Sequence, residues 1–250
     1  MVYLNGAEKQ LEAAITMRDK LAGLSFQPPV VQVYDPLDYA WGAFEEYVTR
    51  FGAKEGRVLF LGMNPGPWGM TQTGIPFGEV EIVNDWLKIT APIHAPRVQH
   101  PQYPIDGYAC KRSEVSGRRL WGLFRERFGT PEAFFEKNFV INYCPLLFIA
   151  SKILKSGKEG ASNLTPDKLS PAERDAVYQI CDENLRAVAK AMRPRYIIGV
   201  GNFAETRARE ALAGMDVQFG KILHPSPASP MSNANWPAMP IKQLEDLGIW

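Results

Sequence analysis

The chain is poor in the residues that metal centres and disulfide frameworks require. Only three of its 250 residues are cysteine (Cys110, Cys144 and Cys181) and three are histidine, and no two cysteines form a C-x-x-C pair. So odd and scattered a set argues against a disulfide scaffold, a zinc site or a four-cysteine iron–sulfur cluster, and fits a reducing compartment. Net charge is scarce too. Against 27 acidic residues stand 28 basic ones, leaving +1, so attraction to a polyanion must come from local patches. No apolar window is long enough to span a membrane, and Asn5, Glu8, Lys9 and Gln10 stand where a secretory leader is apolar. The expectation is a cytoplasmic, nucleoid-associated protein if the source is prokaryotic, and a nuclear one if it is eukaryotic. Neither G-x-x-x-x-G-K-[ST] nor G-x-G-x-x-G follows an apolar run, which removes the common nucleoside-triphosphate and dinucleotide readings.

What is present describes a globular α/β chain. Hydrophobic residues make up 46% and charged residues 22%, enough for one buried core, and no repeat, charge block or linker divides residues 1–250. A single domain is expected. Four short apolar runs, Val58–Leu61, Phe139–Ile141, Tyr196–Val200 and Val217–Leu223, read as strands. Helical patterns lie around them: Tyr3–Ala22, Pro36–Phe51, a helix beginning at Glu79, Val115–Phe128, one capped by Ser170 with Glu173, and one capped by Asn202 that stops at Gly214. Strands alternating with helices predict a three-layer α/β/α sandwich around a mostly parallel four-stranded sheet. Two stretches, Ile93–Arg112 and Ser151–Lys168, read as long non-regular loops. The basic residues of the second, Lys152, Lys155 and Lys158, suit either a solvated surface or contact with nucleic acid.

Ligands of an open α/β sheet bind outside the carboxyl ends of its strands. Here those ends carry Gly62-Met63-Asn64-Pro65-Gly66, Asn142-Tyr143-Cys144-Pro145, Gly201-Asn202 and His224-Pro225-Ser226-Pro227. Asn64, Asn142 and His224 should therefore meet at one rim, with the aromatic Phe77 close by. The two main loops supply no carboxylate except Glu79 and no obvious nucleophile. An aromatic plane, two amides and a histidine suit a planar, amide-bearing heterocycle such as uracil, whose N3–H and O4 pair with one side-chain amide. A histidine and backbone N–H groups near O2 would stabilise the base as a leaving anion.

These blocks resemble the single-strand-selective monofunctional uracil-DNA glycosylases of the uracil-DNA glycosylase superfamily. The resemblance rests on Gly62–Pro67, Gln72-Thr73-Gly74, Pro76-Phe77-Gly78-Glu79, Ser113–Gly117, Asn142 with Cys144-Pro145-Leu146, Asn163-Leu164-Thr165-Pro166, and His224–Pro227. It implies that Asn64 positions the attacking water and that His224 stabilises the uracil anion. It further implies that Phe77 stacks on the flipped base and that Asn142 reads its N3–H and O4 edge. Gly62 and Met63 would hold O2 through backbone N–H groups, and Gly66 would leave room at C5 for 5-substituted uracils such as 5-hydroxymethyluracil. Contact with single- and double-stranded DNA would fall to Pro65, Pro67, Lys152, Lys158, Ser226, Pro227, Ala228, Met231 and Asn233.

The family's wedge commonly carries an arginine where this chain has Ala228, with Met231 as an apolar substitute, which implies weaker activity on duplexes. Lys221 lies three residues before His224 and by strand alternation faces the other way, so base release without strand cleavage is expected. Neither cofactor nor metal is implied, and a monomer is expected. The competing readings are a mismatch-specific uracil or thymine glycosylase, a catalytically silent DNA-binding module, and a nucleoside hydrolase.

Overall fold

The computed structural model describes residues 4–153 and 158–250; Tyr3 of the first expected helix and Lys155 of the second expected loop lie outside them. In chain order the elements are α1 (Gly6–Ala22), β1 (Val30–Tyr34), α2 (Pro36–Tyr39), α3 (Trp41–Phe51), β2 (Val58–Gly62) and α4 (Met70–Thr73). A π-helical turn over Ile82–Leu87 follows, then α5 (Val115–Phe128), α6 (Pro131–Lys137), β3 (Asn138–Asn142), β4 (Leu147–Ile153) and β5 (Glu159–Leu164). The chain closes with α7 (Pro171–Met192), β6 (Tyr196–Val200), α8 (Asn202–Ala211), β7 (Gln218–Ile222), α9 (Pro230–Asn235) and α10 (Ala238–Asp246).

The four apolar runs form one fully parallel sheet, in the order β3-β2-β6-β7. Strands β2, β3 and β6 are buried along their whole length, as parallel strands covered on both faces must be. Alternation sends Phe60 to one face, where it meets Phe124 of α5 and Phe134 of α6. Phe139, in register with Leu59 and so on the other face, stacks on Tyr47 of α3. The expected α/β/α layering is what these contacts build.

Four local expectations change. The helix expected over residues 36–51 breaks at Ala40, whose φ of −113° and ψ of 24° leave the α region, so α2 and α3 are separate. Gly201, at φ 92°, takes the cap position that Asn202 was expected to fill, and Asn202 becomes the first helical residue. The stretch beginning at Glu79 winds as a π-turn and ends at Lys88 in the left-handed region. Ser151–Lys168 is largely not a loop: β4 and β5 pair antiparallel, and β1 adds a third strand to that separate sheet. Ser151–Ile153 of β4 are all exposed and β5 is mostly polar, so no apolar run marked this stretch.

The loop Ile93–Arg112 is irregular but pinned. The buried Gln72 accepts from the N–H groups of Asp106 (2.9 Å) and Gly107 (3.2 Å) and donates to the carbonyls of Pro104 (2.9 Å) and Pro67 (3.0 Å). Among the described residues no helix is long and apolar enough to cross a membrane, and no group of three metal-ligating side chains occurs.

Just past β3, Tyr143 is held by a polar network. Its hydroxyl lies 2.7 Å from Asp182, and Arg207 binds both Asp182 oxygens at 2.6 and 2.7 Å. Removing the acid leaves a largely buried guanidinium short of its main partner. Asp182→Ala should lower unfolding free energy by about 2 kcal/mol, and adding Arg207→Met should recover part of that loss. Urea titration of the three proteins measures both effects.

Candidate active site

From β2 the chain crosses to β3 on one side of the sheet, while β6 leads to β7 on the other. The directions diverge between β2 and β6, and the carboxyl ends of an open α/β sheet form a crevice at such a point. Two further bonds carry the β2–β3 pairing past the strand ends: Tyr143 N–H to Gly62 C=O and Cys144 N–H to Met63 C=O, both 2.9 Å. They fix the loop after β2 against the loop after β3. A cleft of about 390 Å³ opens there, within the range of small-ligand sites.

Met63, Asn64, Pro65, Gly66, Pro67, Phe77, Asn142, His224 and Ser226 all line this cleft. The strand-end prediction thus converges on one place. Gly62 is not in the lining itself but lies against two residues that are: a Cβ there would fall 2.1 Å from Asn142 Oδ1 and 2.5 Å from Phe77 Cε2. Only a glycine lets the amide and the ring meet over the strand end.

Each functional side chain is held by part of itself and left free at the rest. Asn64 donates from Nδ2 to the Leu146 carbonyl at 3.1 Å, which leaves Oδ1 as an acceptor for the cleft. Asn142 is buried, its Nδ2 lies 3.2 Å from Met70 Sδ, and its Oδ1 has no partner. An orphaned acceptor of this kind is costly unless a ligand supplies the donor. Phe77 sits at φ 54°, a left-handed conformation that costs a non-glycine residue about 1–2 kcal/mol. Strain of this sort collects at functional positions. Its ring centroid is 6.2 Å from that of His224.

The tautomer of His224 follows from one contact. Ser226 N–H donates to Nδ1 at 3.1 Å, so Nδ1 is unprotonated and the neutral ring carries its proton on Nε2. Burial disfavours the charged ring and lowers its pKa to about 4. Near neutral pH the cleft therefore holds an uncharged imidazole with an N–H to give.

The segment after His224 is strapped to α5. Arg119 donates to the Pro225 carbonyl (3.1 Å), Ser232 Oγ (3.3 Å) and Asn233 Oδ1 (2.9 Å), while Asn233 Nδ2 donates to the Pro227 carbonyl (2.8 Å). Asn233, expected to touch DNA, thus spends its amide within the protein. Ser226 Oγ accepts from Ala228 N–H at 3.2 Å, and Met231 stands 56% exposed on the first turn of α9. Pro227, Ala228, Met231 and Asn233 lie beyond the cleft lining, as do Lys152 on β4 and Lys158 just before β5. Sequence reasoning gave no role to Glu114, Ser116, Asn163 and Thr165, which also line the cleft, nor to Arg119. The first four sit in the quoted motif blocks, which was the available signal; the reach of Arg119 to residues more than 100 positions away left none.

Two outcomes follow from this geometry. Arg119→Ala removes three bonds from the segment after His224 and should speed amide hydrogen exchange over residues 225–235 by at least about tenfold, with β2 and β3 unaffected. The histidine gives a pH signature. Its folded pKa of about 4 lies below the usual 6.5, so the unfolded chain binds the extra proton and stability falls as pH drops through 6.5 toward 4. Between pH 7.5 and 5 the wild type should lose about 2 kcal/mol more than His224→Leu. Denaturant titrations at the two pH values check the difference.

Similarity to known proteins agrees with this geometry. Residues 49–248 match the Uracil DNA glycosylase superfamily. The single-strand selective monofunctional uracil DNA glycosylase of Mus musculus is 46% identical over 97% of this chain and 85% of its own length. The enzyme of the same name from Bos taurus is 44% identical over 97% of this chain and 87% of its own length. The crystal structure of SMUG2 from Pedobacter heparinus superposes with a TM-score of 0.68 at 21% identity, covering 98% of each chain, a likeness of fold. With a family model matched over most of its length and relatives 44–46% identical, the chain belongs to the uracil-DNA glycosylase superfamily.

Proposed function

We propose that the protein is a monofunctional uracil-DNA glycosylase, which receives a flipped uracil in the cleft and hydrolyses its N-glycosidic bond. The observation that carries this reading is the pairing of an orphaned acceptor, Asn142 Oδ1, with a donor-ready His224 Nε2–H in one cleft. Uracil offers the complement: an N3–H donor between two carbonyl oxygens. Asn142 Oδ1 accepts from N3–H and its Nδ2 reaches O4, while His224 Nε2–H binds O2. Phe77 lies against the ring. Cytosine, with no N3–H, leaves the Asn142 acceptor unpaired, and a site built on buried hydrogen bonds rejects such an analogue strongly.

As the C1′–N1 bond breaks, its electron pair passes to the base and collects on O2, where the imidazole N–H stabilises it. Water held by Asn64 Oδ1 forms the new C1′–O bond and releases a proton, leaving an abasic sugar. An amide is no strong base, so this water attacks a sugar already carrying much positive charge. Among the described residues no lysine lines the cleft, and Lys221 pairs instead with Glu205 at 3.2 Å. Strand cleavage through a Schiff base is therefore not expected.

DNA is the partner. The base leaves the stack at a cost of a few kcal/mol, with the segment Pro227–Asn233 beside the opened duplex and Met231 as its exposed apolar tip. Lys152 and Lys158 then serve the phosphate backbone, and single strands, which need no unpairing, are the easier substrate. All these groups come from one chain, so one copy suffices, working in the nucleoid of a prokaryote or the nucleus of a eukaryote. By the motif resemblance, 5-substituted uracils such as 5-hydroxymethyluracil join uracil as substrates, although the space a Gly66 side chain would take is filled by the Glu114 carboxyl, 1.9 Å from where its Cβ would lie.

The test is a single-stranded oligonucleotide with one uracil, incubated with protein and then treated with alkali. Wild type should yield strand breaks only after alkali, and Asn64→Ala and His224→Leu should each be slower by about 100-fold or more. A strand that stays intact after alkali, or one already nicked before it, contradicts the reading.

A further inference from the structure

The cleft carries no positive charge, although the strand it serves is a polyanion. Among the described residues no lysine or arginine lines it, and His224 is neutral near physiological pH. Ser116, Asn163, Thr165 and Ser226, the polar lining residues that the mechanism leaves unused, are uncharged. They can bond to a sugar or a phosphate but offset none of its charge. The cation has to come from the rim. On one side that rim is made by two loops in contact, since a Cβ on Gly66 or on Gly69 would lie 1.9 or 1.8 Å from the Glu114 carboxyl. Trp68 stands in the first loop, directly after the lining residue Pro67. Arg112 stands in the second, two residues before Glu114, and its guanidinium carbon lies 4.2 Å from the centroid of the Trp68 ring.

Arg112 is exposed, and the ring rather than any acceptor sets its place. Tyr103 stacks on Trp68 at 5.7 Å with its own hydroxyl tied to the Ala161 carbonyl at 3.2 Å, so the seat is fixed. Cys110 Sγ bonds to the Arg112 carbonyl at 3.7 Å, but among the described residues the guanidinium gives no hydrogen bond and meets no carboxylate within ion-pair distance. Two other arginines lie over a ring in the same unspent state, Arg127 over Trp250 and Arg195 over Tyr196. Neither is near the cleft: Arg127 sits about three turns along α5 from its cleft end, and Arg195 leads into β6 at the amino edge of the sheet. A guanidinium seated on an aromatic face has already lost much of its rotamer freedom and keeps N–H donors for a phosphate, which it can bind through two of them at once. We propose that Arg112, seated on Trp68, is a phosphate-binding residue, taking a backbone phosphate of the DNA strand beside the flipped nucleotide. This step rests on the glycosylase reading of the cleft. Lys111 and Arg118 are exposed on the same segment and add to the local positive field, Arg118 with a bond to Ser113 Oγ at 3.3 Å. Asp106, the exposed acid of the preceding turn, forms no ion pair with any of the three among the described residues.

Binding of the full chain to a labelled single strand tests this, using a strand with one tetrahydrofuran abasic site, a product analogue with no base to release. Fluorescence anisotropy is read across a salt series. Each phosphate neutralised on a single strand contributes about 0.7 to the slope of log affinity against log salt. Arg112→Ala should make that slope shallower by about 0.7 and weaken binding about five- to tenfold at low salt, while Arg112→Lys, which keeps the charge, should hold the wild-type slope. Arg195→Ala, which removes a stacked arginine at the other end of the sheet, should leave slope and affinity alone. Both arginines are exposed, so the fold survives either change. An unchanged slope in Arg112→Ala overturns the proposal. So does an equal change in Arg195→Ala, because the attraction would then be diffuse. Strands with thymines or with adenines around the abasic site should lose affinity alike in Arg112→Ala; a loss confined to one of them marks a base contact and is contrary. With a uracil strand, the same variant should need about five- to tenfold more DNA for half-maximal release. A variant that binds as wild type does and is slower only at saturation contradicts the assignment. Robust uracil release with an unchanged salt slope defeats this step only; no uracil release by wild type defeats the glycosylase reading beneath it.

Discussion

Three consecutive buried polar residues on one short helix, Thr71, Gln72 and Thr73, hold the cleft in shape. The loop after β2 is rich in glycine and proline, so it has carbonyls to satisfy and few N–H groups or side chains with which to bond itself. Thr71 Oγ1 donates to the Gly66 carbonyl at 2.8 Å, Gln72 to Pro67 and Pro104, and Thr73 Oγ1 to Gly78 at 2.8 Å. Each residue is fully excluded from solvent. Together they tie the strand end, the turn bearing Phe77 and the proline-rich loop to one another. A loop with so few internal bonds would otherwise be free to collapse into the space the ligand needs.

On that frame the site works by incomplete satisfaction. Asn64 and His224 each spend one polar atom on the protein and keep another for the ligand, and Asn142 keeps its carbonyl oxygen unpaired. The burial that makes these free atoms costly also sets their chemistry. It keeps the imidazole neutral near physiological pH, so the Ser226 amide can dictate which nitrogen carries the proton. A protonated ring would donate from both nitrogens and lose that contact. Glu114 repeats the pattern with a carboxyl, held by shape between two glycines rather than by partners.

Much of this was legible in the residue order because it depends on local rules. Buried parallel strands leave uninterrupted apolar runs, and β2, β3 and β6 were found that way, while the edge strand β7 shows only scattered apolar residues. The capping box of Ser170 with Glu173 marks its helix in a few letters. The second sheet escaped because β4 and β5 are half exposed, with Ser151, Lys152 and Asn163 in the pattern. The break at Ala40 escaped because no glycine or proline marks it.

By itself the sequence determined the four strands of the parallel sheet, the family motifs and the convergence of Asn64, Phe77, Asn142 and His224 on one rim, since a parallel sheet sends all its carboxyl ends to one edge. Only the tertiary structure decided which atoms of those residues are free. Hydrogen bonds to Leu146 and Met70, and the strap from Arg119 to the segment after His224, join positions whose pairing no local pattern encodes. Burial of a single polar atom depends on everything packed around it, and that is settled when the chain closes on itself.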